Sequence, residues 1–224
     1  MRYCRFQTKE GAHYGEVVEQ NGMLWIARLM PAFEEDPWAV PMTDFEPVPL
    51  EVVQMLAPVA PRKIVCIGRN YKDHAAELGN SVPKEPLLFL KPPSAVIAPE
   101  EAIRIPQQSE RVDFEGELAV VIGKTASRIG PEEDVRPYIR GYTIVNDVTA
   151  RDLQKSDGQW SRAKGFDTFC PMGPLVTDEI DPAAGITLET HLNGELMQKG
   201  NTRDLIFPID ALLRYITAAM TLLP

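Results

Sequence analysis

Short apolar runs punctuated by turn residues fill this chain, and most have the length and composition of β-strands. Between Met1 and Val59, the segment GEVVEQNGMLWIARL holds two such runs around Asn21-Gly22, a dipeptide suited to a tight hairpin because both residues tolerate positive φ. From Pro31 to Pro49 the chain is Pro-rich and acidic, too broken for a long helix. Residues 1–59 therefore read as a small β-rich N-terminal domain with a linker, or equally as the first sheet of one larger domain.

Beyond residue 60 the texture changes. KIVCIG reads as a short buried strand, and NYKDHAAELG as a brief helix closed by Gly79. PLLFLKPPSAVI, VDFEGELAVVIG and GYTIVNDVTA read as strands, the last running into a polar loop. ITLETHLNGELMQ is a hairpin pivoting on Asn193-Gly194. PIDALLRYITAAMTLL places Pro208 in a first turn and Ile209, Leu212, Leu213, Ile216 and Met220 at helical spacing. The expected class is α+β and β-rich, with residues 60–224 as the second domain and no internal repeat. The chain stops at the apolar Thr221-Leu222-Leu223-Pro224, which reads as a truncated sequence, since termini ordinarily run out into solvent.

Composition narrows the function classes. With 224 residues and 44% hydrophobic positions, the chain buries a sizeable core. A net charge of −9, with Lys and Arg scattered among acids, argues against nucleic acid as a partner, because that role needs clustered cations. MRYCRFQTKEG has no apolar segment of a secretory signal, and no run approaches the length of a membrane span. Cys4, Cys66 and Cys170 are odd in number and far apart, which predicts neither a disulfide framework nor a thiolate metal site. A cytoplasmic protein acting on a small molecule is expected.

Four places could carry chemistry. On a strand through VDFEGELAVVIG, Glu115 and Glu117 project to one face, and two carboxylates on an apolar strand need solvent or a cation. A hard divalent ion with oxygen ligands is one answer. Asp147 stands where an apolar strand meets a polar loop, followed by Arg151, Asp152 and Gln154. His74 and Glu77, three apart on the expected helix, share a face, and a carboxylate beside an imidazole suits a general base. Lys164 lies among aromatic, Gly and Pro residues, where it could stabilise developing negative charge. His13 and His191 have no such setting. Taken singly, each place also has an ordinary reading: solvated acids, an Asx turn, a surface histidine, a surface lysine.

Their order changes the balance. GRNYKDH with the following Glu77, EPLLFLKP, the Glu-Gly-Glu strand, NDVTARDLQ, KGFDTFCP and NGELMQKGNT resemble successive blocks of the fumarylacetoacetate hydrolase family, from about Lys63 onward. The resemblance implies a mixed β-sandwich roll preceded by a small N-terminal domain, commonly a homodimer. It implies Glu115, Glu117 and Asp147 as ligands of Mg2+ or Mn2+ (Ca2+ in crystals), and His74, Glu77 and Lys164 as catalytic residues. Arg69, Tyr71, Arg151 and Gln154 are implied as substrate contacts. Members of the family normally continue past an MTLLPGD-like stretch into further strands, and here the sequence ends.

The activity expected from this resemblance is Mg2+-dependent hydrolysis of a carbon–carbon bond in a 2,4-dioxo acid of acylpyruvate or fumarylacetoacetate type. The same chemistry serves isomerisation of 2-hydroxyhepta-2,4-diene-1,7-dioate or 5-carboxymethyl-2-hydroxymuconate, or decarboxylation of oxaloacetate. A non-catalytic metal-binding protein is the rival from another class; it has no use for His74, Glu77 or Lys164.

Overall fold

The structure is a computed structural model that describes residues 1–31, 42–71 and 83–224. Strands β1 (Arg2–Thr8), β2 (Gly11–Gln20), β3 (Met23–Met30) and β4 (Thr43–Pro49) form an antiparallel meander. The turn between β2 and β3 is Asn21-Gly22, with φ of 52° and 77°, the doubly left-handed turn the dipeptide favours. Strand β5 (Gln54–Leu56) returns along β1. The inward face of β1, with Cys4 and Phe6, packs on Val17 and Ile26 to close a small core.

Four short pairs make up much of the rest. They are β6 (Ile64–Gly68) with β7 (Leu87–Lys91), β8 (Val96–Ile97) with β13 (Cys170–Pro171), β9 (Val112–Asp113) with β12 (Thr149–Ala150), and β15 (Thr187–Leu192) with β16 (Glu195–Asn201). The long strands β10 (Gly116–Ile122) and β11 (Ile139–Asn146) pair with each other. A two-residue strand, β14 (Val176–Thr177), joins Tyr142 of β11 to Arg2 and Tyr3 of β1. One sheet of eight strands thus runs from β10 through β14 to β4 among the described residues. The junction is tight: a Cβ on Gly141 would sit 2.7 Å from the Thr177 carbonyl oxygen.

Three helices complete the fold: α1 (Arg151–Ser156), α2 (Ser161–Gly165) and α3 (Ile209–Ala219). Helix α3 buries Leu213 and Ile216 against Ala126, Ile129, Val135 and Leu222, with Ile209 and Met220 at the margin, as the apolar spacing predicts. Pro208 caps the helix from an extended conformation, one place before the expected first turn. A third core, with Val148, Ala150, Ala163 and Phe169, lies under α1 and α2. The strand-rich architecture with few helices is the α+β class read from the sequence.

Several expected strands are broken. PLLFLKPPSAVI divides at Pro92-Pro93, where two residues without N–H cannot continue a ladder. The loop expected after Asp147 carries a two-residue strand and then helix α1. VDFEGELAVVIG divides into β9 and β10, so Glu115 falls in the break and not on a strand. The Asn146 side chain accepts a hydrogen bond from the Glu115 N–H at 3.0 Å, and the Glu115 carbonyl accepts one from the Asp147 N–H at 2.8 Å. A side chain replaces the ladder partner, and the two glutamates still converge.

Candidate metal centre

Glu117 leaves the start of β10, Glu115 the break just before it, and Asp147 the position just after β11, which pairs with β10. Register makes them neighbours: Gly116 stands opposite Asn146, so the flanking acids meet at one corner of the sheet. One oxygen of each carboxylate lies within 4.8 Å of the others.

Two lysines and an arginine hold this corner. The Lys164 ammonium donates to Glu115 Oε2 at 2.8 Å and to Asp147 Oδ2. Lys91 Nζ, at the end of β7, donates to Asp147 Oδ1 at 2.6 Å and to the Val148 carbonyl at 3.3 Å. Arg151 pairs with Glu115 Oε1, with Asp113 Oδ2 at 2.9 Å and with Gln154 Oε1 at 3.0 Å. Burial pulls the Lys164 ammonium down, but Asp147 and Glu115 outweigh it and hold the group above its ordinary value.

Glu117 differs. Its carboxylate takes no hydrogen bond or ion pair among the described residues. Burial, then the charges of Asp147 and Glu115, push its pKa up to about 8, against the opposing pull of Lys164 and Lys91. A half-buried, unpaired carboxyl beside two others is costly unless a cation joins it. Three hard oxygen donors converging on one point fit Mg2+ or Mn2+, which take few carboxylates and leave positions for water and substrate. Glu115, Glu117 and Asp147 are the residues that would hold the ion.

These acids line a cleft of about 470 Å³ together with Arg69, Arg151, Gln154 and Lys164. Of the residues expected at the site, seven therefore meet in one place. Tyr71 lies on the other side of Glu117, in an adjoining apolar groove, where it bridges to Leu205. Burial and the charges of Glu117 and Asp204 raise its phenol to about 12. His74 and Glu77, with the helix expected around them, lie outside the described residues.

Other parts of the site carried no individual signal. Lys91 ends an apolar strand before two prolines, where a lysine reads as a solvated strand end, and only the packing of β7 brings it to Asp147. Phe89, on the same strand, meets Trp160 edge-on with ring centroids 5.2 Å apart, and the Lys164 ammonium lies 5.0 Å from the Phe89 centroid. This aromatic wall depends on Gly68, whose missing Cβ would fall 2.8 Å from the Trp160 ring. Cys66 and Cys170 are free thiols, both kept protonated chiefly by burial.

Residues 63–224 match the family model described as fumarylacetoacetate (FAA) hydrolase C-terminal, and residues 1–58 match Rv2993c-like, N-terminal. Protein Rv2993c of Mycobacterium tuberculosis is 43% identical over 100% of this chain and 84% of its own length. A Bacillus subtilis protein named oxaloacetate tautomerase YisK is 42% identical over 77% of this chain and 60% of its own. The crystal structure of a 2-hydroxyhepta-2,4-diene-1,7-dioate isomerase from Mycobacterium marinum superposes with a TM-score of 0.87 at 40% identity, covering 100% of this chain and 84% of that one. With three acids gathered where those sequence blocks meet, and a family model spanning most of its length, the chain belongs to the fumarylacetoacetate hydrolase family.

Proposed function

We propose that this chain is a divalent-metal enzyme that interconverts the keto and enol forms of a small 2-oxo dicarboxylic acid. The observation that carries this reading is the buried Lys164 ammonium held between Glu115 and Asp147, beside the unpaired carboxyl of Glu117. A divalent cation on the three carboxylates would supply Lewis acidity to the carboxylate and 2-oxo oxygens of a bound acid. Lys164 adds a fixed positive charge that favours the enolate formed when C3 loses its proton. Arg151, braced by Asp113 and Gln154, holds Glu115 in place. Phe89 and Trp160 form an aromatic wall of the cleft. By the family resemblance, His74 is the proposed base: it takes the C3 proton and delivers it to the 2-oxygen of the enolate to give the enol, and the reverse transfer, from the 2-oxygen to C3, gives the keto form. Relatives named as an oxaloacetate tautomerase and as a 2-hydroxyhepta-2,4-diene-1,7-dioate isomerase favour this reading.

The second reading is hydrolysis of a 2,4-dioxo acid, favoured by the three-residue spacing of His74 and Glu77. There the imidazole takes a proton from water, the hydroxide adds to the distal carbonyl, and the carbon–carbon bond breaks to release a carboxylic acid and a pyruvate-type enolate that is then protonated.

The full chain with Mg2+ should be assayed for loss of enol-oxaloacetate absorbance and, separately, for pyruvate release from acylpyruvates. The expected result is accelerated enol–keto conversion that slows by about 10²–10³-fold in Lys164→Met, in line with removal of a fixed charge donor. Pyruvate release without any effect on oxaloacetate would establish the second reading instead. Acceleration of neither contradicts both and leaves a metal-binding protein.

A further inference from the structure

Gly116 opens β10, the end strand of the large sheet, between Glu115 in the break and Glu117 on the strand. On one edge, the peptide groups of Glu115 are taken by Asn146 and Asp147. On the other edge, the hairpin of β15 and β16 approaches. It pairs with no other strand among the described residues, and it is hydrogen-bonded to Gly116 through one side chain. Gln198 Oε1 accepts from the Gly116 N–H at 2.8 Å, and Gln198 Nε2 donates to the Gly116 carbonyl at 2.8 Å. The amide gives Gly116 both bonds that a neighbouring strand would give.

The amide is also oriented. Thr190, opposite Gln198 in the hairpin register, donates from Oγ1 to Gln198 Oε1 at 3.1 Å. The Gly116 N–H can only donate and its carbonyl can only accept, so the amide has one orientation, and the Thr190 hydroxyl, able to donate, fits the oxygen side. The space is specific to glycine: a Cβ on Gly116 would lie 2.3 Å from Thr190 Oγ1 and 3.5 Å from Gln198 Oε1. Most of the hairpin around this contact is exposed, whereas Thr190 and Gln198 are half-buried.

We infer that Gln198, oriented by Thr190, is a positioning residue for the metal centre. It fixes the peptide between Glu115 and Glu117, so that two acids separated by a break in the strand converge on one point. This rests on the metal reading above, and it acts through backbone geometry without touching ion or substrate. Groups that orient metal ligands from behind typically contribute about 10–100-fold in metal affinity.

The test is Mn2+ affinity of the full chain without substrate, measured by calorimetry or by loss of the free-ion resonance signal, alongside apo-protein thermal stability. Gln198→Leu, similar in volume and without the amide, is expected to weaken Mn2+ binding about 10–100-fold while still unfolding cooperatively. Thr190→Val should weaken it as well, and Thr190→Ser, which keeps the hydroxyl, should restore wild-type affinity. A folded Gln198→Leu protein with unchanged Mn2+ affinity would overturn the inference, because a purely structural clamp lowers melting temperature alone. If Gln198→Leu does not fold, the Thr190 pair decides: equal affinity in Val and Ser overturns it. No Mn2+ binding by wild type would sink the metal reading itself, an outcome distinct from equal binding by wild type and variants.

Discussion

Lys91 and Lys164 meet Asp147 from different elements, one on each carboxylate oxygen. The side chains of Lys91 and Asp147 are 1% and 2% exposed, so neither charge has water as an alternative partner. Removing one member of such a pair typically costs about 3–5 kcal/mol, because the other is left buried and under-compensated. Lys91→Met is therefore expected to lower the unfolding free energy by that amount, read as a lower denaturant midpoint with an unchanged slope; a midpoint within error of wild type would show that Asp147 is adequately held by Lys164 alone. At this scale the acids were legible only through their order among the family's sequence blocks, because each taken singly reads as a solvated acid or an Asx turn. Lys91 was not, since its meaning comes from a residue far along the chain. Arg69, Arg151, Gln154 and Lys164 reach the cleft with the acids, while Tyr71 faces the apolar groove beside it.

Elements were readable where turn chemistry is local. Asn21-Gly22 and Asn193-Gly194 both form hairpin turns with positive φ at each residue, and α3 follows its apolar spacing. What the sequence concealed is where ladders stop. VDFEGELAVVIG has an unbroken strand composition, yet the Asn146 side chain replaces a backbone partner and Glu115 leaves the strand. Strand β14 has two residues, too few to give any periodic signal, although it joins β1 to β11. That joint depends on Gly141. A Cβ there would meet the Thr177 carbonyl oxygen at 2.7 Å and its carbon at 2.9 Å, and backbone cannot yield as a side-chain tip can. Gly141→Ala is expected to lower stability by about 1–3 kcal/mol, the usual range for overpacking, read by thermal or chemical denaturation. An unchanged melting temperature would mean that the β11–β14 joint is loose.

At the scale of the whole molecule, the sequence left open whether the first residues are an appendage or part of one sheet; β1 is hydrogen-bonded to β14, and the sheet is continuous. No helix among the described residues is long and apolar enough to cross a membrane. We propose a two-fold homodimer, the commonest closed symmetry, on the family resemblance; light scattering at micromolar concentration should give twice the 25.0 kDa chain mass, and a monomer would refute it. On the proposed function, Glu115, Glu117 and Asp147 together hold a divalent ion on which turnover depends. The most direct test is the enol–keto conversion rate of chelator-stripped protein as Mn2+ is titrated back. Near-background rates are expected when stripped, with a saturable return of activity in wild type and no return in Asp147→Asn. Stripped protein as active as loaded protein, or Asp147→Asn responding as wild type does, would contradict that reading.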